Sequence, residues 1–363
     1  MEQRTLAQKL HIDIPLLLGI LILCAVGLIV LYSAGNQNIE LIYRQAIKFA
    51  IAIALMLLIA QLPPAEIARW SVGLYILGII LLIAVIFFGD VGKGAQRWLD
   101  IKVFRFQPSE LMKLSVPMMV AFYLSDKSLP PSFVRVFLVI VFIAAPVLLI
   151  AKQPDLGTSL LVATAGFSVL FIAGISWRLL TAFGLLATAA APLLWYFMHE
   201  YQKKRVLTFL NPENDPLGAG YHTIQSKIAI GSGGFYGKGW LNGTQSHLEF
   251  LPERSTDFIF AVLCEEFGLL GVLFVICIYL FIISRSLYIA IHAQHTFGRL
   301  LASGITLTFF VYIFVNMGMV TGQLPVVGVP LPLISHGGTS IVTLLAGFGI
   351  LMSIHTHRRF LSF

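Results

Sequence analysis

The run Leu251-Pro252-Glu253-Arg254-Ser255-Thr256-Asp257-Phe258-Ile259-Phe260 closes a long polar segment and opens an apolar helix. Asp257 therefore sits where water meets hydrocarbon. A carboxylate there can take a proton from a hydroxyl or hold a divalent cation, and an acid at membrane depth is costly enough to be paired or functional. Glu253, Arg254 and Thr256 share its turn. Glu265 and Glu266 follow in the same apolar run, about 12–13 Å deeper at 1.5 Å per residue. The helical angle sets Glu266 opposite Asp257, so the three acids do not form one cluster. Glu265 and Glu266 read as acids that bridge helices. Asp257 reads as a functional group at a solvent-reachable mouth.

Cations gather elsewhere. The loop 90–105 carries Lys93, Arg97, Lys102 and Arg105, offset by Asp90 and Asp100. Either these are solvated, balanced charges, or they receive an anion such as a lipid diphosphate. Next comes Phe106-Gln107-Pro108-Ser109-Glu110-Leu111-Met112-Lys113. Pro108 suits a first helical turn, and Glu110 and Lys113 are i,i+3 neighbours. They either neutralise one another for insertion, or Glu110 steadies Lys113 in a polar cavity. Lys152-Gln153-Pro154-Asp155-Leu156-Gly157-Thr158 is a short turn in which Lys152 and Asp155 pair or face that same cavity.

The segment 199–256 is the only long polar stretch. It holds Lys203, Lys204 and Arg205, suited to lipid headgroups, then Lys227 and a glycine run, Gly231-Ser232-Gly233-Gly234 with Gly237 and Gly239. Tyr236 stands where a dinucleotide fingerprint needs its third glycine, so tight backbone packing is the favoured use, with amides cradling a phosphate as the weaker alternative. The segment 321–338 has no Asp, Glu, Lys or Arg, but holds Gly322, Pro325, Gly328, Pro330, Pro332, Gly337 and Gly338. Such a stretch is neither helix nor lipid-exposed coil. It must fold back on the bundle as a plug or a cavity wall, with Gln323, Ser335 and His336 as its polar groups.

The positioning framework follows from composition. The 363 residues are 58% hydrophobic and 11% charged, against about 25% charged in typical soluble domains. Apolar windows recur along the whole chain, which predicts an all-α polytopic membrane protein forming a single unit over 1–363. Ten spans are expected: 14–34, 41–61, 70–89, 109–125, 133–151, 157–175, 178–198, 257–284, 299–320 and 339–356. One large extracytoplasmic loop, about 199–256, separates spans seven and eight. An even count places both termini together. Ten Lys and Arg fall on that side and eight opposite once the six in the long segment are set aside, a small bias toward cytoplasmic termini. The N-terminal apolar stretch is an anchor rather than a removed signal. Cys24, Cys264 and Cys277 form no disulfide or metal spacing, and the nine His form no HExxH-type pattern.

Five motifs in order then carry a resemblance across the chain: Gly94-Ala95-Gln96-Arg97-Trp98, Gln107-Pro108-Ser109-Glu110 through Lys113, Gln153-Pro154-Asp155-Leu156-Gly157-Thr158, Leu251-Pro252-Glu253 through Asp257, and Pro325 to Ser340. Together they resemble the SEDS family (shape, elongation, division and sporulation) of peptidoglycan polymerases. Gly239-Trp240-Leu241-Asn242-Gly243-Thr244-Gln245 followed by Leu251-Pro252-Glu253-Arg254 resembles its cell-elongation branch. Ser255 departs from that branch, which often has His there. The resemblance implies a glycosyltransferase of the cytoplasmic membrane, active on the periplasmic side. Lipid II is the implied substrate, and a β-1,4-linked glycan on undecaprenyl diphosphate the product. A class B penicillin-binding protein is the implied partner, with no nucleic acid involved.

Read with that resemblance, Asp257 is the catalytic candidate, and Arg97, Trp98, Glu110, Lys113, Lys152, Lys227, Glu253 and Ser335 are the substrate-binding candidates. An α-linked donor and a β-linked product fit one inverting displacement, served by a single general base. No tightly bound cofactor is expected. A divalent cation, Mg or Mn, remains open, with Asp257 as its ligand in place of base. Two rival classes also stand: a flippase for the lipid-linked precursor, and a scaffold that only recruits the penicillin-binding protein.

Overall fold

The computed structural model describes residues 10–92, 95–100, 105–126, 128–198, 200–211, 213, 219–247 and 253–357. Lys93, Gly94, Lys102, Leu251 and Pro252 lie outside the described residues. Helices dominate: α1 (Ile14–Ala34), α2 (Ile39–Ala60), α3 (Pro64–Phe88), α4 (Pro108–Ser125), α5 (Phe133–Lys152), α6 (Leu156–Ile172) and α7 (Trp177–Phe197). After them come α8 (Glu200–Leu210), α9 (Ala219–Gly233), α10 (Thr244–His247), α11 (Ile259–Ile291), α12 (Thr296–Val320) and α13 (Thr339–Thr356). Every expected span falls on a helix. Seven of these are long and apolar enough to cross a membrane: α1, α2, α3, α5, α11, α12 and α13. The others fall short for local reasons: α4 carries Glu110, Lys113 and Pro117, and α6 has only 17 residues.

Local chemistry sets the helix ends. Asp13 caps α1 by accepting from the Leu16 amide at 2.9 Å, and Asn38 caps α2 through the Glu40 and Leu41 amides. Each satisfies donors a helix start leaves orphaned. Outer faces are apolar and exposed, as at Phe87, Phe88, Leu148 and Phe274. In water that pattern would drive aggregation; in hydrocarbon it is the expected solvent-facing surface. Buried at the centre, α12 packs against α4, α6, α11 and α13, while α13 also covers α2.

Two expectations are corrected. The all-α description misses a small antiparallel sheet inside the charged loop: β1 (Asp90–Gly92), β2 (Ala95–Asp100) and β3 (Arg105–Phe106), in the order β1-β2-β3. Asp90 pairs with Trp98 and Leu99 with Phe106. Counting charges hid the β-formers Val91, Trp98, Leu99 and Phe106. The long segment 199–256 also contains α8, α9 and α10 rather than a plain polar loop.

The glycine run serves close packing. α11 breaks at Gly268, whose φ of +62° and ψ of −161° are open to glycine alone. The chain after α9 is stitched into the gap. The amides of Lys238 and Gly239 donate to the Glu265 and Glu266 carbonyls at 3.0 Å. The amides of Leu269 and Leu270 donate to the Gly234 and Phe235 carbonyls. A Cβ on Gly233 would stand 2.0 Å from the Cys264 carbonyl oxygen, and one on Gly237 2.1 Å from that of Glu266. The broken helix thus recovers backbone hydrogen bonds that hydrocarbon would leave unmade.

Candidate functional site

Asp257 lies in the turn 253–258, two residues before α11 begins, rather than inside the helix. Glu253 adopts a left-handed φ of +55°. Its carbonyl accepts from the Thr256 amide at 3.0 Å and from the Phe258 amide at 3.3 Å, closing the turn. The Thr256 hydroxyl donates to the Glu253 carboxylate at 2.9 Å. His222, on α9, stacks on Phe258 with centroids 5.7 Å apart. Burial lowers its pKa while Glu253 pulls the other way, which leaves a neutral imidazole beside the turn near pH 7.

Three consecutive carbonyls of this turn are held from outside. The His336 amide donates to Ser255 at 2.8 Å, the Ser335 hydroxyl to Thr256 at 2.5 Å, and the Asn316 side-chain amide to Asp257 at 2.9 Å. The carboxylate of Asp257 is half-buried and faces the backbone of Gly328, where a Cβ would stand 3.5 Å from its Oδ2. Gly328 has a φ of +80°, so a side chain there would be strained as well as close.

Gly328 belongs to the uncharged segment 321–338, here called the strap. Its neighbour Val327 meets the first turn of α6: a Cβ on Gly157 would stand 2.7 Å from the Val327 carbonyl oxygen. Asp155 caps α6 by accepting from the Thr158 amide at 3.2 Å. Its other oxygen takes the Arg97 guanidinium at 3.2 Å and the Gln107 amide at 3.4 Å. β2 thereby delivers Arg97 to the strap's outer flank. Further along, Pro330, Leu331, Pro332, Leu333 and Ser335 wall a cavity whose atom-free space, open solvent at its mouth included, is about 730 Å³. Glu110 and Lys113 open into it and pair at 2.6 Å. The Lys113 ammonium lies 5.2 Å from the Tyr312 ring centre. Apart from those groups and a few hydroxyls, the lining is Leu, Ile, Phe and Pro, so the cavity is largely apolar where a polar one was expected.

The strap thus touches Asp257 at Gly328, the Arg97 cluster's helix at Val327 and the Lys113 cavity from Pro330 onward. Its far half is buried and anchored. The Tyr279 hydroxyl donates to the Pro332 carbonyl at 2.7 Å, and the Gln45 amide to that of Ser335 at 3.3 Å. Lys48 lies 3.4 Å from His336 Nε2. Burial and the Lys48 charge both lower the His336 pKa.

The other candidates are distributed as follows. Trp98 is half-buried on β2, and Glu253 is exposed beside Asp257. Lys152 is exposed at the end of α5. Lys227 is exposed on α9 and crosses the strap's start, its Nζ 2.7 Å from where a Gly322 Cβ would stand. Ser335 lines the cavity, but its hydroxyl is engaged on both sides, accepting from the Leu331 amide at 2.7 Å. Arg97 and Lys113 are not bare charges, since each already holds a carboxylate. Glu265 accepts from Lys238 and from the Thr244 and Gln245 amides at the start of α10, and Glu266 from the Ser33 hydroxyl. Both acids bind neighbouring elements, as their burial in the helix required. Sequence reasoning missed Asn316, Tyr312 and His222. A lone Asn in the apolar run Phe309–Val320 was the available signal, because an amide in hydrocarbon must find partners.

This is the architecture of a multi-pass membrane protein in which Asp257, the Arg97–Asp155 pair and the Glu110–Lys113 pair lie around one folded-back strap. The chain belongs to the FtsW/RodA/SpoVE family: that family model, described as "Cell cycle protein", matches residues 8–360. It is 55% identical to "Peptidoglycan glycosyltransferase MrdB" of Escherichia coli (strain K12), over 99% of this chain and 98% of that one. It is 36% identical to "Probable peptidoglycan glycosyltransferase FtsW" of Trichlorobacter lovleyi, over 94% and 92%. Among solved structures it resembles a chain of "Structural coordination of polymerization and crosslinking by a peptidoglycan synthase complex", with a TM-score of 0.83 and 33% identity over 94% of this chain and 97% of that one. The Rod shape determining protein RodA of Thermus thermophilus gives 0.72 and 28%, over 94% and 96%.

Proposed function

We propose that this chain is a peptidoglycan glycosyltransferase that joins lipid II units into β-1,4-linked glycan during cell elongation. The observation that carries this reading is the strap, which seats the Asp257 carboxylate on Gly328 and walls the Lys113 cavity with the residues that follow. Asp257 takes the proton from the acceptor sugar's 4-hydroxyl as that oxygen attacks the donor's anomeric carbon. The bond to diphosphate breaks, and undecaprenyl diphosphate leaves with its electron pair. One displacement inverts the centre, and a positioned base contributes about 10²–10⁴-fold.

Arg97, Lys113 and Lys152 neutralise the leaving diphosphate. Asp155 and Glu110 hold the first two in place beforehand, which is the preorganisation that electrostatic stabilisation needs. Their partners do not exhaust them: Arg has five donors and Lys three. The apolar remainder of the cavity suits the isoprenoid portion of a lipid-linked sugar. A hard divalent cation binds through one or two carboxylates plus substrate phosphates. Asp257 and Glu253 could supply those carboxylates, and such an ion would add charge neutralisation. Among the described residues no group of three or more His, Cys, Asp or Glu converges, so the substrate would have to supply further ligands.

Ten helices crossing the cytoplasmic membrane put both termini in the cytoplasm and the turn 253–258 at the periplasmic face. A class B penicillin-binding protein is the fitting partner, since the similar solved complex couples polymerization to crosslinking. The test is polymerisation by the purified protein in detergent, where no second leaflet exists. Glycan lengthening from lipid II is the expected result. Translocation in vesicles with no lengthening in detergent would make the chain a flippase.

A further inference from the structure

We infer that Asn316 is the positioning residue that aims the Asp257 carboxylate, an inference that rests on the function proposed above. Asn316 is fully buried, one turn before the end of α12. Its side-chain nitrogen donates both hydrogens, to the Asp257 carbonyl at 2.9 Å and to the Val329 carbonyl at 2.6 Å. One planar amide thus ties the residue bearing the carboxylate to the residue after Gly328, the backbone which that carboxylate faces. Both acceptor carbonyls are locked to the same donor atom, which sets the turn of Asp257 and the strap in mutual register.

The other tethers do less. The His336 amide and the Ser335 hydroxyl hold the carbonyls of Ser255 and Thr256, upstream of Asp257. Both come from the strap's anchored far half, whereas Asn316 comes from α12 and holds the near half at Val329. Lost donors at Asn316 would leave two carbonyls unmatched in a nearly dry place, and the turn and strap would separate to find water. Asn316 Oδ1 is buried without a hydrogen-bond partner among the described residues, so the side chain is kept for what its nitrogen does. An amide with its oxygen unsatisfied is an expensive way merely to fill space, which Leu would do without cost.

The comparison of Asn316→Leu, Asn316→Ser and Asn316→Ala in the purified full chain, with lipid II as substrate, separates aiming from packing. Leu keeps the volume and has no donor; Ser is small and keeps one; Ala is small and has none. The expected order of kcat is Asn, then Ser, then Ala and Leu. The last two should fall by about 100-fold, the loss that a misplacement of about 1 Å brings. KM for lipid II should change less than kcat, because Asn316 itself does not line the cavity. A Leu variant with wild-type kcat, or one outperforming Ser, would overturn the inference in favour of simple packing. If Leu prevents folding, the Ser and Ala pair decides: equal kcat in the two, or a loss confined to KM, also overturns it. The Asp257→Asn variant is run beside them. Full activity in that variant would remove Asp257 as the reacting group, while an inactive Asp257→Asn beside a fully active Asn316→Leu would sink only the inference about Asn316.

Discussion

Two buried-edge aspartates stand at opposite ends of the bundle and are held in opposite ways. Asp13, before α1, is fixed through its carboxylate: Arg285 donates to both oxygens at 3.1 and 2.7 Å, and His355 lies 2.7 Å from one of them. Asp257 is fixed through its main chain, with its own carbonyl and the two before it each taken by a donor from α12 or the strap. The first acid spends its charge on joining α1, α11 and α13. The second has its turn held by main-chain contacts to α12 and the strap, so the shape of that turn does not rest on the carboxylate alone. A membrane-edge acid therefore says little by itself; its contacts show which of its atoms hold the fold.

The sharpest way to break this contrast is to neutralise each acid. Asp257→Asn should lower polymerisation by about 10²–10⁴-fold while the protein still inserts and melts normally. A chain assay and a thermal melt on the same preparation check both halves, and a large loss of stability would make Asp257 a clasp like Asp13. Lys113→Ala should cost about 10²-fold in turnover of lipid II, the scale of one lost electrostatic donor. Unchanged kinetics there would reduce Glu110 and Lys113 to an insertion pair.

Asp13→Asn should do the reverse of Asp257→Asn, lowering stability by about 3 kcal/mol through a charge left unpaired, with turnover per folded molecule intact. Burial would raise the Asp13 pKa, but hydrogen bonds from His355 and Arg285 outweigh it and hold the carboxyl well below its ordinary 3.8. A depressed folded value means that this stabilisation is complete above the ordinary value and drains away as pH falls below it. Melts of wild type and Asp13→Asn should therefore converge in strong acid. The smallest effect belongs to Gly328→Ala, where a left-handed residue costs about 1–2 kcal/mol. Activity should fall about tenfold with little change in KM, and a wild-type rate would show that the strap gives way without moving Asp257.

Much of this was legible in the sequence because hydrocarbon imposes simple rules. Helix positions followed from apolar length, and the strap's return onto the bundle followed from glycine and proline without charge. The pairing of Glu110 with Lys113 followed from spacing on one helical face. What stayed hidden depends on meetings between distant segments. Arg97 pairs with Asp155, which is far from it in the chain. Lys152, which spacing matched to Asp155, is exposed. The sheet of residues 90–106 escaped notice because its strands are two to six residues long. Asn316 was visible as an anomaly, but its partners are 59 and 13 residues away.

The order of synthesis gives the strap a last consequence. A ribosome releases the turn of Asp257 into the membrane well before it makes α12 and residues 321–338. The growing chain then carries Asp257 without Asn316, Ser335 or His336 to hold its turn. On the function proposed above, the seat of that acid is completed late, when α12 and residues 321–338 close over a turn already made.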